Sequence, residues 1–265
     1  MTKNRIQILK EKMLSQPRYV SIEQALIITK TYKQHENEPI ILKRAYALAN
    51  ALRELEIGIE NEELIVGNRT KGVRYGVVFP ESGISWVDRE FETISTRKQD
   101  KFLVRDEDIK IFREQIVPYW KGKSLEDVIK QNFGKEISAI NKVVKINQTD
   151  HAQGHICPNV EKWLQKGVSG LLADAQNHYE NADEDKKNFY QAIIIVMKAV
   201  QNFMLRYHDL LIATAKDDEK NRASLIKVAD ICKNISQRPP QTFHEAVQAT
   251  WFLFVILHMD SNASS

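Results

Sequence analysis

Residues 242–258 read TFHEAVQATWFLFVILH, and this stretch decides how the rest of the chain is interpreted. Thr242 and Glu245 have the spacing of a capping box, which predicts a helix that begins at this point. Residues 251–257 (WFLFVIL) are apolar on every side of that helix, so it has no face suited to water. The run is far shorter than the roughly 20 residues that a bilayer span needs. We therefore expect the helix to lie in the core of a large domain.

Very little chain follows this helix. Burying one large apolar side chain contributes about 1.5–3 kcal/mol, so several exposed ones are a serious loss of stability. Because few residues follow His258, the sequence predicts that the surface covering the helix lies on polypeptide beyond residue 265. The chain by itself is then expected to expose apolar surface around residues 251–257 and to aggregate.

Composition favours a mainly helical protein and excludes some functions. Hydrophobic residues make up 43% of the 265, and only 10 glycines and 7 prolines interrupt long stretches of helical periodicity. The net charge of +3 is close to balanced, which does not support a nucleic-acid partner. Two cysteines suit a reducing cytoplasm. The charged first residues contain no secretory signal, and no run predicts a membrane span.

Most of the chain predicts helices joined by short connections. Apolar periodicity and capping signals predict helices at 4–15, 21–34, 39–55, 106–117, 124–132, 161–180, 185–216, 217–235 and 242–258. Ser21 with Gln24 and Ser124 with Asp127 are predicted caps, and the run Pro118-Tyr119-Trp120 is predicted to stop the helix before it. Residues 63–67 (ELIVG) and 75–79 (YGVVF) predict short strands or extended segments.

Several motifs in order resemble one enzyme family. They are ELIVGNRT at 63–70, FPES at 79–82, FETISTRKQDKFLV at 91–104, INQTDHAQGHICPNVEKWLQKG at 146–167 and HMDSNASS at 258–265. Together they resemble the pyruvate formate-lyase family of glycyl-radical enzymes, in the branch that includes cobalamin-independent glycerol and propanediol dehydratases. The resemblance runs from about residue 5 to residue 265, with Asp260 where the family has a glutamate.

The resemblance implies a fold and a type of chemistry. Residues 1–265 would form the amino-terminal part of a pyruvate formate-lyase domain, mainly α with a few short strands, within a ten-stranded α/β barrel. In such enzymes a cysteine becomes a thiyl radical beside a glutamate base, and a glycine in a second loop stores the radical. Water elimination or C–C cleavage of a small substrate follows. The resemblance also implies no dissociable cofactor, an activating iron–sulfur partner that uses S-adenosylmethionine, and a homodimer.

The radical-bearing segments of the family are not found in this sequence. It contains no Val-Gly-Cys-x-Glu-like segment and no Arg-Val-x-Gly-Tyr-like segment. Cys157 and Cys232 stand in other contexts, so neither inherits the catalytic role. The resemblance therefore places no catalytic residue in this chain, and the chain alone is expected to be inactive.

The resemblance does place one wall of a substrate pocket here. His155 matches the histidine that points at the substrate hydroxyls in the dehydratase relatives, and a neutral imidazole can both donate and accept a hydrogen bond. His151 is a second, weaker candidate for the same pocket. Near the end of the chain the dehydratases have a His-Ser pair. Ser265 matches its serine, but Ser264 takes the histidine position, so glycerol does not carry over as the substrate.

Other interpretations compete with this one. His151, His155 and Cys157 suggest a zinc site, as in a zinc-dependent hydrolase, but no fourth ligand with suitable spacing is evident. Gly154 and Pro158 also oppose a helical pair of histidines, so hydrogen-bonded loop histidines without a metal are favoured. A non-catalytic helical interaction module, or a pseudo-enzyme, is the alternative function. It predicts a cooperatively unfolding monomer of 30.6 kDa or a defined complex.

The absence of both radical segments gives a direct prediction. After anaerobic treatment with an activating enzyme and S-adenosylmethionine, the chain alone should show no glycyl-radical doublet by electron paramagnetic resonance, and no turnover. A complete glycyl-radical enzyme activated in parallel is the control. A doublet from this chain would contradict the assignment.

Overall fold

The computed structural model describes residues 4–144 and 157–260. In chain order the elements are α1 Arg5–Ser15, β1 Tyr19–Ser21, α2 Glu23–Gln34, α3 Ile40–Glu54, β2 Tyr75–Val77, α4 Ser85–Glu90, α5 Asp106–Ile111, a π-helical turn Phe112–Ile116, α6 Val117–Trp120, α7 Leu125–Ile140, α8 Val160–Glu180, α9 Glu184–Asp217, α10 Arg222–Gln237 and α11 Phe243–Asp260. The described residues are thus mainly helical with two short strands, which confirms the predicted fold class.

The chain forms two units. The helical unit comprises Met1–Gln16, Thr31–Val73 and Pro158–Asp260, and the mixed unit comprises Pro17–Lys30, Arg74–Cys157 and Ser261–Ser265. Helix α2 contributes its first residues to the mixed unit and its last ones to the helical unit.

Helix α9 is the centre of the helical unit and packs against α3, α8 and α10. Its 34 residues carry buried apolar side chains at helical spacing: Ala192, Ala199, Val200, Phe203, Met204, Tyr207, Leu211 and Ala215. The alanines allow neighbouring helices to approach closely, and α3 presents four buried alanines of its own. These buried apolar residues form the core face of α9.

Helix α8 contains a sharp break at Gly167. This residue has φ 61° and ψ 177°, which lies outside the helical region and is strained for any residue with a Cβ. A Cβ at this position would lie 2.9 Å from the Pro239 nitrogen and 3.0 Å from its Cα. Glycine thus lets α8 change direction and lets the backbone before α11 approach closely.

The mixed unit is built around a small parallel pairing. Strand β1 pairs with β2, and Tyr19 lies opposite Tyr75. Leu103, which belongs to neither strand, forms an isolated parallel β-bridge with Tyr19. The indole N–H of Trp120 donates a buried 2.8 Å hydrogen bond to the Thr29 hydroxyl, which holds α6 against the first part of α2.

Several boundaries differ from those predicted. Ser21 ends β1, so α2 begins only at Glu23, and residues 63–67 form no strand and bend at Leu64 and Ile65. The helix predicted over residues 106–117 continues through Pro118 and ends at Trp120, within the run that was predicted to stop it. A π-helical turn precedes this proline and places it in the first turn of α6, where its missing N–H is tolerated.

The cap predicted at Ser124 is confirmed, with a longer helix than expected. The Ser124 hydroxyl accepts from the Asp127 N–H at 3.3 Å, and α7 continues to Ile140. The Asp127 carboxylate does not return to the Ser124 backbone, because it accepts from the Gly122 N–H at 2.8 Å instead.

None of the helices within residues 4–144 and 157–260 combines the length and apolar character that crossing a membrane requires.

The break in α8 predicts unequal effects of two glycine substitutions. Gly167→Ala should lower the free energy of unfolding by about 1–3 kcal/mol, because it adds a Cβ at a positive φ and against Pro239. Gly134→Ala in α7 is the matched control. Its new Cβ meets only the Lys130 Cγ at 3.8 Å, so it should be neutral or stabilise by about 0.5–1 kcal/mol. Urea unfolding of both variants checks this, and equal effects would contradict the account.

Candidate functional site

The four residues predicted to bind substrate, His151, His155, Ser264 and Ser265, all lie outside the described residues. Their roles therefore stay predictions. What the structure describes is the part of the chain that precedes the second pair in sequence. It consists of helix α11, which leads to the HMDSNASS segment, and of the non-helical segment 64–69 from the ELIVGNRT motif, which packs against this helix.

Helix α11 begins in the predicted capping box. The Glu245 N–H donates to the Thr242 hydroxyl, and the Glu245 carboxylate accepts in return from the Thr242 N–H, both at 3.2 Å. The same carboxylate accepts from the Gln241 N–H at 2.7 Å, from Asn234 at 3.1 Å and from both terminal nitrogens of Arg238. Burial acts to raise the pKa of Glu245, but Arg238 and the amide donors outweigh it and hold the pKa below its usual range.

Side chains of α11 form hydrogen bonds with the backbone of segment 64–69, and we call this set of contacts the α11 seam. Both ends of the Gln248 amide reach Val66, whose N–H donates at 2.9 Å and whose carbonyl accepts at 2.7 Å. A ring nitrogen of His244 lies 2.7 Å from the Leu64 carbonyl, and the Trp251 indole donates to the Gly67 carbonyl at 2.9 Å. Side chains of a helix thus supply the hydrogen-bond partners that these buried backbone groups require.

Gly67 allows the segment to lie this close to α11. Its φ is 126°, and a Cβ would lie 3.0 Å from the Phe252 ring and 3.3 Å from the Trp251 ring. Any larger residue would be strained in its backbone and would also push against two aromatic rings. The glycine of the ELIVGNRT motif therefore has a structural explanation.

Buried aromatic rings hold the seam from the other side. The Tyr207 hydroxyl accepts from the Asn68 N–H at 3.0 Å, and burial raises the pKa of this tyrosine. Its ring packs against Phe203 and Phe252, with ring centroids 5.2 and 5.6 Å away. All three rings are fully buried, so α9 and α11 share one aromatic core beneath the segment.

Two arginines bind the carboxyl end of α11. Arg69 donates to the His258 carbonyl at 3.3 Å, and Arg44 donates to the carbonyl and to the carboxylate of Asp260 at 3.4 and 3.3 Å. Cations are favourable at this end because the last helical carbonyls carry partial negative charge. These contacts fix the point at which the chain enters the segment with Ser264 and Ser265.

Metal-binding groups and a buried cysteine were the two further features of the described residues with possible chemical roles. Among residues 4–144 and 157–260, no group of three or more His, Cys, Asp or Glu side chains is placed to hold a metal ion. Cys232 is fully buried, and burial raises the pKa of its thiol to about 12, so it remains a protonated core residue.

Helix α11 has one covered face and one open face. The covered face carries Gln248, Phe252 and Met259, each at most 1% exposed. On the open face Trp251 and Phe254 are each 39% exposed. The predicted exposure of apolar surface around residues 251–257 is therefore seen, but on one side of the helix only.

The comparison with known families decides the identity. The model of the pyruvate formate lyase-like family matches residues 1–265, which is the whole chain. The chain belongs to the pyruvate formate lyase-like family. The predicted family is therefore confirmed, and the chain corresponds to the amino-terminal part of its glycyl-radical members.

Curated relatives of this pyruvate formate lyase-like chain are dehydratases and lyases. It is 31% identical over 258 residues to the probable dehydratase YbiW of Escherichia coli, covering 93% of this chain and 32% of that protein. It is 27% identical to the (2S)-3-sulfopropanediol dehydratase of Klebsiella oxytoca, covering 98% of this chain and 33% of that protein.

The solved structures agree with this assignment. The glycerol-bound B12-independent glycerol dehydratase of Clostridium butyricum matches with a TM-score of 0.92 and 31% identity, covering 99% of this chain and 35% of that one. The pyruvate formate lyase-like chain thus spans about a third of the length of the relatives that it matches.

Sequence reasoning did not predict the α11 seam, although a signal for it exists. His244, Gln248 and Trp251 recur at intervals of four and three residues in an otherwise apolar helix, which places their polar atoms along one line. Such a line indicates a helix that binds the backbone of another segment. Arg44 and Arg69 carry no comparable signal, because their partner carbonyls cannot be identified from sequence.

The seam predicts a large effect of one uncharged substitution. Gln248→Leu should lower the free energy of unfolding by at least about 2 kcal/mol, because it leaves the buried N–H and carbonyl of Val66 without partners. Gln165→Leu on the exposed side of α8 makes the same chemical change and should stay within about 0.5 kcal/mol of the parent. Chemical denaturation measures both, and a Gln248→Leu variant as stable as the control would contradict the role of the seam.

Proposed function

We propose that this chain forms the amino-terminal part of a glycyl-radical dehydratase or lyase and contributes one wall of its substrate pocket. The observation that carries the proposal is the match to the glycerol-bound glycerol dehydratase over 99% of this chain with a TM-score of 0.92. The wall would consist of His155 and Ser265, with Ser264 and His151 beside them.

The proposed reaction acts on a small substrate with hydroxyl groups. In the complete enzyme a thiyl radical would abstract a hydrogen atom from a substrate carbon, and elimination or C–C cleavage would follow. The residues for that step belong to segments that this sequence does not contain. His155 would bind a substrate hydroxyl and supply the proton that a departing water requires.

The proposed substrate class rests on the names of the relatives and on one position at which this sequence differs from the glycerol dehydratases. Relatives are named for glycerol, 1,2-propanediol, sulfopropanediol, isethionate and trans-4-hydroxy-L-proline. Ser264 stands where the glycerol enzymes carry a histidine, which would remove one ring donor from the pocket. A small hydroxylated substrate other than glycerol is therefore favoured.

The proposed partners follow from family membership. The radical would be installed by an activating enzyme that contains an iron–sulfur cluster and uses S-adenosylmethionine, and the complete enzyme would be a homodimer. A cytoplasmic setting is also proposed, supported by two cysteines that are both free. The alternative function is a non-catalytic helical interaction module or a pseudo-enzyme.

A chimera tests the proposal. This chain would replace the matched third of the Clostridium butyricum glycerol dehydratase, and the product would be activated anaerobically and assayed on the substrates named above. We expect a glycyl-radical doublet and turnover of at least one substrate. His155→Ala should retain the doublet but lower kcat by about 10²–10⁴-fold, the range for loss of a general acid or base.

His178→Ala is the control, because His178 stacks on Tyr190 at 5.3 Å in the helical framework. It should leave the rate unchanged. A doublet without turnover of any substrate would support the pseudo-enzyme, and equal rates for parent and His155→Ala would remove His155 from the pocket.

A further inference from the structure

A cavity lies between helix α1 and the segment that leads into the α11 seam, and we call it the α1 cavity. Its volume is about 270 Å³. Helix α1 contributes one face to it, and the face carries Arg5, Leu9, Lys12 and Met13. All its lining residues belong to the helical unit, and the others are Glu60, Glu63, Leu64, Ile65 and Val73.

Helix α1 covers this cavity without entering the core. The structure describes the whole of this helix, and none of its residues is buried. At its amino end Arg5 donates to the Glu62 carbonyl at 3.1 Å. At its carboxyl end Lys12 forms an ion pair with Glu60, and the Gln16 amide donates to the same carboxylate at 3.4 Å. Polar contacts at both ends thus hold the helix over a cavity whose walls are mostly apolar.

The apolar walls can hold a hydrocarbon chain. They are formed by the side chains of Leu9, Met13, Leu64, Ile65 and Val73. Apolar walls with a small number of polar groups are the usual composition of a small-molecule site. The volume lies just below the range of about 300–1,000 Å³ that is typical of sites for drug-sized ligands, so the α1 cavity suits a smaller molecule.

Glu63 is the polar group of this cavity whose charge is not balanced. Its half-buried carboxylate accepts a hydrogen bond from the Glu60 N–H at 3.0 Å. No lysine or arginine in the described part of the chain lies within ion-pair distance of it, because Lys12 pairs with Glu60. One ammonium group therefore faces two carboxylates, which leaves one negative charge at this end of the cavity.

The electrostatic surroundings of Glu63 are suited to a bound cation. Burial raises the pKa of Glu63 and the charge of Glu60 adds to this effect, whereas the Glu60 N–H and Lys12 oppose it. A cation beside the carboxylate would stabilise its charged form and offset the cost of burial. Arg5 does not take this place, since it lies seven residues before Lys12 along α1, which is about 10 Å away.

We infer that the α1 cavity binds a small primary alkylammonium ion, with its ammonium group at Glu63 and its hydrocarbon chain against Leu9, Met13 and Ile65. A primary ammonium group has three donors and no acceptor, so it can bind Glu63 and Glu60 together. An anionic ligand would meet two carboxylates at the same place. The inference does not rest on the proposed function, because it requires neither a radical nor the proposed substrate pocket.

Isothermal titration calorimetry of the whole chain tests this site. The probe is n-hexylammonium chloride, and hexan-1-ol is the uncharged molecule of the same chain length. We expect saturable binding of one n-hexylammonium ion per chain, at least about tenfold tighter than that of hexan-1-ol. A hydrogen bond to a charged group contributes about 1.5–3 kcal/mol, which corresponds to a factor of that size.

Two substitutions act on opposite ends of the bound ion. Glu63→Gln removes the charge but can still accept from the Glu60 N–H, and it should weaken binding by at least about tenfold. Glu180→Gln is its control, since Glu180 is exposed at the end of α8 and outside the cavity. Leu9→Trp should abolish binding by filling the cavity, whereas Leu14→Trp, at a 56% exposed position of α1 that does not line it, should not.

Either substitution alone is decisive in a variant whose circular dichroism matches that of the parent. Loss of binding in Glu63→Gln or Leu9→Trp, with binding retained in the matching control, would support the site. Equal affinities for n-hexylammonium and hexan-1-ol, or the absence of saturable binding, would overturn the inference. Binding that survives both substitutions would also overturn it, because the ion would then occupy another apolar surface, such as the open face of α11.

Discussion

The two hydrogen bonds between the Gln248 amide and the backbone of Val66 determine how the rest of the helical unit is arranged. Both residues are fully buried, so the N–H and the carbonyl of Val66 cannot be satisfied by water. A primary amide is suited to this position because it offers one donor and one acceptor on the same flat group. Gln248 therefore acts as a substitute for one residue of a neighbouring strand.

Other features of the unit follow from that constraint. The segment lies against α11 only because Gly67 has no side chain to separate them, and the Phe203, Tyr207 and Phe252 rings fill the space beneath it. Because segment 64–69 is held against α11, Arg69 lies at the carboxyl end of this helix and donates a hydrogen bond to the His258 carbonyl. The ELIVGNRT motif is therefore explained by packing and hydrogen bonding around one helix, before any role in catalysis is considered.

The same arrangement explains why a helix apolar on every side is only half covered. One face of α11 packs on the seam and on the aromatic core, while Phe243, Val247, Trp251 and Phe254 face outward. The chain spans about a third of its relatives' length, and in a fold of that size a core extends across several segments. The central claim is that α11 belongs to a core to which this chain supplies one side.

Much of the local structure was predictable because its causes are local. Thr242 and Glu245 cap α11 as expected, since a capping box depends only on residues three positions apart. The apolar period also predicted a long helix over residues 185–216, where the structure has α9. The helix predicted to end at residue 117 runs on to Trp120, because a π-helical turn before Pro118 shifts the hydrogen-bond register, and the sequence carries no signal for such a turn. The contact between Gln248 and Val66 joins residues 182 positions apart, which only the folded chain reveals.

The family could be recognised from motifs, whereas the pocket could not be built from the described residues. His151, His155, Ser264 and Ser265 lie outside them, so their roles in a substrate pocket stay predictions. Hydroxyl-radical footprinting of the monomeric chain, read by mass spectrometry, tests the central claim most directly. The account predicts fast labelling of Phe243, Trp251 and Phe254 and protection of Phe203 and Phe252. Protection of Phe243, Trp251 and Phe254 in the monomer would contradict it, because α11 would then be covered by this chain alone.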